Sequence, residues 1–163
     1  MINIMFICHG NICRSPTAEF LFNDKAKKRA LKMRADSCAI SDDTIIGTQG
    51  SPVFSVCARI LAENGIDCKE KRSQKLKKED YGRYSLFVIM DDENKREALK
   101  IFGGEGGDPE GKIKYLADYS ALNNGTAGNV INDPWYTRDF KKAYEEIDRG
   151  VEGLISELSG RAV

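Results

Sequence analysis

The sequence predicts an α/β fold: a single domain over residues 1–163, built on a four-stranded, parallel, twisted sheet with helices on both faces. Short apolar runs alternate along the chain with longer amphipathic segments, and this alternation favours parallel strands joined by helical crossovers. The length is that of one ordinary domain with a proper core. No linker, repeat or low-complexity tract divides the chain.

The first half of the chain supplies two of the predicted strands and two helices. An apolar strand over 2–7 ends in a glycine-containing loop, and Pro16 then begins a helix, because proline suits the first helical position. That helix is predicted over 17–34, with basic residues near its C-terminal end. A second strand follows over 33–39, and a second helix over 52–64.

The segments after the second helix continue the alternation. Residues 69–78 are highly charged and are predicted to lie on the surface. The strongest strand signal is at 85–90, and the helix after it runs to Lys100. A short fourth strand is predicted within 112–119, and a final amphipathic helix over 137–158. The predicted loops are at 42–52, 103–111 and 123–132.

The charge and composition exclude several classes of protein. The chain has 25 basic and 25 acidic residues, so no net field attracts nucleic acid or an anionic membrane. No apolar run approaches the roughly 20 residues that span a bilayer, and the short apolar start lacks the basic n-region of a signal peptide. We therefore expect a cytoplasmic protein that binds neither nucleic acid nor membranes.

The spacing of the five cysteines matches neither a disulfide framework nor a zinc site. Their number is odd, no CxxC pair is present, and the chain has one histidine. We therefore expect no structural metal, no cofactor, and at least one thiol that is free for chemistry. Cys38, Cys57 and Cys68 are predicted to be core residues, because their neighbours are apolar.

The loop between the first strand and the first helix carries the chemistry. Cys8 and Arg14 bracket five residues, a spacing that lets successive backbone N–H groups form an anion nest at a helix N-terminus. Arg14 can hold two phosphate oxygens at once. Cys8 lies at the base of the nest, where the N–H groups and the guanidinium favour the nucleophilic thiolate. The predicted phosphate-binding residues are His9, Gly10, Asn11, Ile12, Cys13, Arg14 and Ser15.

Phosphoryl transfer also needs a proton donor for the leaving oxygen. The ring of His9, the single histidine, is expected to point outward at the rim of the loop, so a carboxylic acid is the better candidate. Asp133 is our choice, because the Asp-Pro pair fixes a turn beside two aromatic residues that could grip a flat ring. Asp91 and Asp92, which follow the strong strand, stay open as rivals. The predicted substrate-lining residues are Trp135 and Tyr136.

The segment 8–16, read as C-H-G-N-I-C-R-S-P, resembles the signature of the low-molecular-weight protein tyrosine phosphatases. The resemblance extends over most of the chain, because residues 65–67, 78–80, 87–91 and 133–136 follow in the family's order. It implies hydrolysis of a phosphotyrosine protein or an aryl phosphate, with inorganic phosphate as the product. It implies no cofactor and no metal.

The resemblance also implies a role for each matching residue. Cys8 attacks phosphorus and forms a cysteinyl-phosphate, while Arg14 binds the phosphate and stabilises the transition state. Asp133 protonates the tyrosyl oxygen and then deprotonates the water that hydrolyses the intermediate. Ser15 donates a hydrogen bond to the thiolate, and Asn11 holds the shape of the loop.

The family pattern also includes one further cysteine, and the chain departs from that pattern at three places. Family members share Cys13, which implies a reversible disulfide with Cys8 under oxidation. His9 stands where a small aliphatic residue is common, and Lys71 aligns loosely with a histidine that helps to hold the loop in many members. The segment 42–52 lacks the aromatic that sets specificity in the family. The support of the loop is therefore expected to differ here.

Three other functions use a similar loop. An arsenate reductase of the same fold needs further cysteines beyond the strong strand, and none follows Cys68 here. A non-catalytic phosphate-binding module disagrees with the intact set of Cys8, Arg14 and Asp133. A small-molecule acid phosphatase is not distinguished by the sequence. A protein tyrosine phosphatase is therefore the leading prediction.

Overall fold

The computed structural model describes residues 1–120 and 130–161, and its centre is a four-stranded sheet. The strands are β1 (Ile2–Cys8), β2 (Met33–Ala39), β3 (Leu86–Ile89) and β4 (Ile113–Tyr115). Every pairing is parallel, and the strand order is β2-β1-β3-β4. The predicted α/β class with a four-stranded parallel sheet is therefore confirmed.

Helices cover both faces of this sheet, as the sequence predicts. They are α1 (Arg14–Lys28), α2 (Ser55–Glu63), α3 (Asp92–Ile101), α4 (Pro134–Thr137) and α5 (Phe140–Arg161). Successive side chains of a strand point to opposite faces. Ile4 and Phe6 accordingly pack in the cluster shared with α1, α2 and α5, whereas Met5 and Ile7 pack in the cluster shared with α3. Among the described residues, no helix has both the length and the apolar character needed to cross a bilayer.

The neighbouring positions of β1 and β3 place the functional site. The chain leaves β1 for β2 on one side and returns to β3 on the other, and in such sheets ligands bind beyond the carboxyl ends of the two strands at this switch point. Ile7 is paired with Ile89 there. The Ile131 N–H donates to the Met90 carbonyl at 2.8 Å, which brings the segment 130–133 to the same edge. The loop after β1, the start of α3 and this segment therefore converge.

The first helix ends at Lys28 and not at residue 34, so the predicted boundary is wrong. Ala30 adopts a left-handed conformation with φ of 52°, and the Leu31 N–H donates back to the Ala26 carbonyl at 2.9 Å. That bond is the long bond of a Schellman ending. Leu31 continues the apolar spacing of the helix, but it packs on the core from beyond the helix end. The apolar pattern continues beyond the last helical residue, so it predicts a helix that is too long.

The starts of the first two helices also differ from the prediction. α1 begins at Arg14, so Pro16 is its third residue and not its first, still within the turn whose N–H groups lack helical partners. α2 begins at Ser55 and not at residue 52, because Pro52 forms an isolated β-bridge with Arg72. The bridge holds this part of the chain extended before the helix starts.

Three elements near the C-terminus differ as well. The strand predicted within 112–119 is β4 followed by a 3-10 turn at Leu116–Tyr119. The final helix predicted over 137–158 is α5, which begins later, at Phe140, because Arg138 takes a left-handed conformation, with φ of 61°, after the short helix α4. The predicted loop at 123–132 lies outside the described residues except for its last three.

The charged segment 69–78 is not the uniformly exposed surface that the sequence predicts. Ser73 and Leu76 are buried, and the side chain of Lys71 is only 10% exposed. The reason is backbone pairing: the Leu76 N–H donates to the carbonyl of Ala39, at the end of β2, over 2.8 Å. The segment therefore lies against the edge of the sheet next to the functional loop.

Candidate active site

The loop between β1 and α1 takes the place that the sequence predicts, with Cys8 ending the strand and Arg14 beginning the helix. Asn11 adopts the left-handed conformation, with φ of 58°, which its short polar side chain tolerates. Gly10 serves a different purpose, because a Cβ there would lie 3.0 Å from the methyl group of Thr44. The left-handed backbone of Asn11 and the close approach of Gly10 to Thr44 therefore shape the loop.

The sulfur of Cys8 lies buried at the floor of the loop, surrounded by hydrogen-bond donors. The Ser15 hydroxyl is 2.9 Å from it, the Asn11 N–H 3.3 Å and the Ser15 N–H 3.4 Å. Hydrogen bonds to an anion favour the charged form of that group. The floor of the loop therefore directs three hydrogen-bond donors at the Cys8 sulfur.

A chain of hydrogen bonds fixes the direction of the bond from Ser15 to Cys8. The Gln74 backbone N–H donates to Asn11 Oδ1 at 3.1 Å, so the amide Nδ2 faces the other way. That nitrogen donates to Ser15 Oγ and to Ser37 Oγ, each at 2.8 Å. Because Ser15 Oγ already accepts a hydrogen bond, its own hydrogen is left to point at the sulfur. The roles implied for Asn11 and Ser15 agree with this geometry.

A buried ion pair between Lys71 and Glu19 supports that chain of hydrogen bonds. The Ser37 hydroxyl donates to Glu19 Oε1 at 2.6 Å, and Lys71 Nζ lies 3.0 Å from the same oxygen and 3.0 Å from the Ser37 carbonyl oxygen. Lys71 thus supports the loop through Glu19 and Ser37, at the place where many family members have a histidine. Sequence reasoning missed Glu19 and Gln74, because neither carries a local signal: one is a charge on a helix and the other lies in a charged loop.

The guanidinium of Arg14 is held over the floor by three groups. Nη1 donates to Asp91 Oδ2 at 2.9 Å and to the Ile131 carbonyl at 3.2 Å, and Nη2 donates to Asp133 Oδ2 at 3.2 Å. Burial acts to lower the pKa of Arg14, but its interactions with Cys8, Asp133 and Asp91 outweigh that effect and raise the pKa. The guanidinium is therefore a permanent cation aimed at the floor of the site.

The two carboxylates on Arg14 are both N-terminal caps of helices. Asp91 Oδ1 accepts from the Asn94 N–H at 3.0 Å at the start of α3, and Asp133 Oδ1 accepts from the Trp135 N–H at 3.0 Å at the start of α4. Each cap leaves the second oxygen free to face Arg14. Asp92, the third candidate acid, instead accepts from the Tyr115 hydroxyl and does not line the site. The structure thus brings together Asp91 and Asp133 and leaves Asp92 aside.

A cavity of about 500 Å³ opens above the floor. Its walls include the predicted Trp135 and Tyr136, together with Phe54, which sequence reasoning did not select. The Phe54 ring meets Trp135 edge-on, with centroids 6.5 Å apart, and stacks on Phe140 at 5.6 Å. Phe54 thus places an aromatic ring in the cavity wall just beyond the segment 42–52. Five of the predicted phosphate-binding residues line the cavity: His9, Gly10, Ile12, Cys13 and Arg14.

The rim of the cavity carries an ion cluster centred on His9. Its Nδ1 lies 2.9 Å from Glu93 Oε1 and its Nε2 lies 2.8 Å from Asp43 Oδ2. Both ring nitrogens can donate only when the imidazole is charged. Burial acts to lower the pKa of His9, but the hydrogen bonds to the two carboxylates outweigh it and raise that pKa. The rim location expected for His9 agrees with the structure.

The remaining thiols lie away from the floor, as expected. Cys38, Cys57 and Cys68 are buried, and Cys13 is half-buried in the cavity wall. Burial raises the pKa of the Cys38 thiol well above its ordinary value, so that thiol stays neutral. Within residues 1–120 and 130–161, no three histidine, cysteine or acidic side chains are grouped in a way that could hold a metal ion.

Comparison with known proteins shows the family to which the chain belongs. The family model described as low molecular weight phosphotyrosine protein phosphatase matches residues 3–162. The chain is 32% identical to the low molecular weight protein-tyrosine-phosphatase YfkJ of Bacillus subtilis, over 97% of this chain and 96% of that protein. It is 30% identical to the low molecular weight phosphotyrosine protein phosphatase of Saccharomyces cerevisiae, over 90% and 88% of the two chains. The crystal structure of YfkJ superposes with a TM-score of 0.85 at 30% identity, covering 99% of this chain and 96% of that one. This chain therefore belongs to the low molecular weight phosphotyrosine protein phosphatase family.

Proposed function

We propose that this chain is a protein tyrosine phosphatase that uses Cys8 as its nucleophile. The observation that carries the proposal is the environment of the Cys8 sulfur: three donors within 3.4 Å, at the floor of a cavity that Arg14 also lines. A thiolate in that position can attack phosphorus. The names of the relatives, which describe phosphotyrosine phosphatases, support the choice of substrate class.

In the first step the phosphate group binds to the loop and to Arg14. The loop lies at the N-terminus of α1, where backbone N–H groups favour an anion. The two terminal nitrogens of Arg14 can hold two phosphate oxygens and stabilise the charge that spreads over them in the transition state. Cys8 then forms the cysteinyl-phosphate as the tyrosyl oxygen leaves on the opposite side.

The leaving oxygen needs a proton, and we propose Asp133 as the donor. Asp91 makes the shorter contact to Arg14, 2.9 Å against 3.2 Å, and its carboxylate is less exposed, 20% against 29%. Asp133 also lies next to the aromatic wall formed by Trp135 and Tyr136, where the leaving ring would stand. We therefore assign proton donation to Asp133 and the orientation of Arg14 to Asp91.

In the second step Asp133, now ionised, takes a proton from the water that attacks the cysteinyl-phosphate. The Ser15 hydroxyl stabilises the departing Cys8 thiolate through the bond it already makes, and inorganic phosphate leaves. Both steps use groups of this chain and one water molecule, with no cofactor. A single domain over residues 1–163 and a cytoplasmic location also stay predictions.

Rates on aryl phosphates with good and poor leaving groups test the assignment of the acid. Asp133→Ala is expected to lose about 10²–10⁴-fold in kcat/KM on a poor leaving group and much less on a good one, because kcat/KM reports formation of the cysteinyl-phosphate and only the poor leaving group needs a proton in that step. Asp91→Ala is expected to raise KM on both substrates. The assignment fails if Asp91→Ala, and not Asp133→Ala, shows the dependence on the leaving group.

A comparison of substrate classes, run with a chelator present, tests the substrate and the need for a metal. We expect a phosphotyrosine peptide to be hydrolysed far faster than a phosphoserine peptide of the same sequence or an alkyl phosphate. Equal rates on all three would favour a small-molecule acid phosphatase. Loss of activity on chelation would contradict the metal-free mechanism.

A further inference from the structure

Cys13 and Cys57 bring their sulfur atoms into contact. The two residues are 44 positions apart in the sequence, yet their Sγ atoms lie 2.7 Å from each other. The contact is held from both sides: Cys13 directly precedes α1, and the Phe54 N–H just before α2 donates to the Ile12 carbonyl at 2.8 Å. Because a disulfide needs an S–S distance near 2 Å, the pair requires only a short approach to become bonded.

We propose that Cys13 and Cys57 form a reversible disulfide on exposure to a hydroperoxide, and that this disulfide forms without the participation of Cys8. The disulfide would join the phosphate loop to α2. It involves none of the bonds from Ser15 and Asn11 that hold the Cys8 sulfur.

The surroundings of Cys13 favour Cys57 over Cys8 as its partner. Besides lining the main cavity, Cys13 borders with Cys57 a small gap between α1, α2 and α5, lined mostly by apolar side chains. Pairing with Cys8 would require the Cys8 sulfur to leave its three donors and Cys13 to give up its contact with Cys57. The Cys8–Cys13 disulfide implied by the family resemblance stays a prediction, and the experiment below separates the two.

The oxidation balances as a two-electron reaction. The Cys13 thiolate attacks one oxygen of the peroxide, the O–O bond breaks, and the hydroxide that leaves takes up the proton of the Cys13 thiol to become water. Cys57 sulfur then attacks the resulting sulfenic sulfur; the S–S bond forms, the S–O bond breaks, and the departing hydroxide takes the Cys57 proton. Two thiols and one peroxide thus give one disulfide and two waters.

The rate of this oxidation depends on the access of peroxide to Cys13 and on the fraction of the Cys13 thiol that is ionised. Cys13 is the more exposed partner and lines the open cavity, so a peroxide can reach it. The contact with Cys57 and burial raise the pKa of the Cys13 thiol, so that little thiolate is present at neutral pH. We therefore expect oxidation of the pair to be slower than that of a free thiolate and to accelerate as the pH rises.

Peptide mapping by mass spectrometry tests the pairing without depending on the proposed activity. Wild type and Cys8→Ser are treated with hydrogen peroxide, blocked with an alkylating agent and digested. We expect a Cys13–Cys57 linked peptide in both proteins, because the pair does not need Cys8. The link should vanish in Cys57→Ser and persist in Cys68→Ser, the matched control, since Cys68 is equally buried in the same cluster.

Two outcomes would overturn the proposal. One is a Cys8–Cys13 linked peptide as the main product in wild type. The other is recovery of Cys13 and Cys57 as free thiols in peroxide-treated Cys8→Ser, where no Cys8 sulfur competes for the peroxide. A thermal melt gives a second reading: a disulfide that closes a loop of this length is expected to raise Tm by about 5–10 °C, reversed by a thiol reductant and absent in Cys57→Ser.

Discussion

The floor and the rim of the cavity are held by different physical means. At the floor, Asn11, Arg14 and Ser15 are buried, and the hydrogen bonds of Asn11 and Ser15 run toward the Cys8 sulfur. At the rim, the side chains of His9, Asp43 and Glu93 are 45%, 71% and 47% exposed and are joined by ion pairs. Buried, directional bonds fix a geometry, whereas exposed ion pairs are weakened by water and salt.

This difference predicts different roles for the floor and the rim of the cavity. In the proposed mechanism the floor must hold the Cys8 sulfur and the Arg14 guanidinium in a fixed relation, and burial supplies that rigidity. The rim lies at the mouth of the cavity, and its imidazole, His9, has a raised pKa. Substitutions at the floor should therefore act on catalysis and stability strongly, and substitutions at the rim should act weakly and with a dependence on pH.

The largest effect among the charge substitutions is expected for Arg14→Lys. A lysine keeps the charge but cannot hold two phosphate oxygens while also pairing with Asp91 and Asp133. We expect kcat/KM on an aryl phosphate to fall by about 10³-fold. Arg29→Lys, whose arginine forms an exposed pair with Glu152, is the control and should keep the wild-type rate. A loss of less than tenfold in Arg14→Lys would place Arg14 outside the reaction.

A smaller effect, on stability, is expected for Lys71→Met. The change leaves the Glu19 carboxylate, which is 11% exposed, without its cation, and breaking such a pair costs about 3 kcal/mol in the free energy of unfolding. Lys28→Met, which breaks an exposed pair with Asp24, should cost less than about 0.5 kcal/mol. Denaturant titrations measure both.

The double variant Lys71→Met/Glu19→Gln separates the loss of an ion pair from the loss of packing. If the cost comes from an unpaired charge, removing that charge should recover most of the stability. A double variant as unstable as Lys71→Met would contradict the assignment of Lys71 to the support of the loop.

The smallest effect is expected at the rim and concerns the pKa of His9. The chain has one histidine, so a proton NMR titration follows a single imidazole. We expect its pKa to lie above the ordinary value of about 6.5, because Asp43 and Glu93 outweigh the effect of burial. Asp43→Asn should lower that pKa. Asp42→Asn, whose carboxylate pairs with Lys75, should leave it unchanged.

The raised pKa of His9 also sets the direction of a stability effect. A histidine whose pKa is higher in the folded state stabilises the fold below its unfolded pKa, and this contribution is lost as the pH rises through the folded pKa. The difference in unfolding free energy between wild type and His9→Val should thus be greatest below about pH 6.5 and diminish above it. A difference in unfolding free energy that grows with pH would contradict the stabilising role of the ion pairs that His9 forms with Asp43 and Glu93.

The floor of the site was largely predictable from the sequence, because its central residues lie within one loop. The C-x5-R spacing after a buried strand predicts the anion nest, and the alternation of strands and helices predicts the parallel sheet. The choice of Asp133 gained most from the family resemblance, since this residue meets Arg14 from 119 residues away and local chemistry left Asp91 and Asp92 open as rivals.

The parts that sequence reasoning missed depend on tertiary pairing. Lys71 and Glu19 read as ordinary surface charges, and only the backbone pairing of the 69–78 segment with β2 turns the lysine inward. Phe54 was not predicted because it lies just beyond the segment 42–52, where the family resemblance places an aromatic residue. Leu31 kept the helical spacing beyond the end of α1, so periodicity alone did not detect the Schellman turn.

Trapping of the covalent intermediate tests the central claim most directly. Asp133→Ala, in which hydrolysis of the intermediate should be slow, is mixed with an aryl phosphate that has a good leaving group, quenched rapidly and mapped by mass spectrometry. The account predicts one phosphorylated residue, Cys8, and neither a phosphorylated peptide nor turnover in Cys8→Ser. Turnover by Cys8→Ser, or phosphate found on another residue, would contradict it.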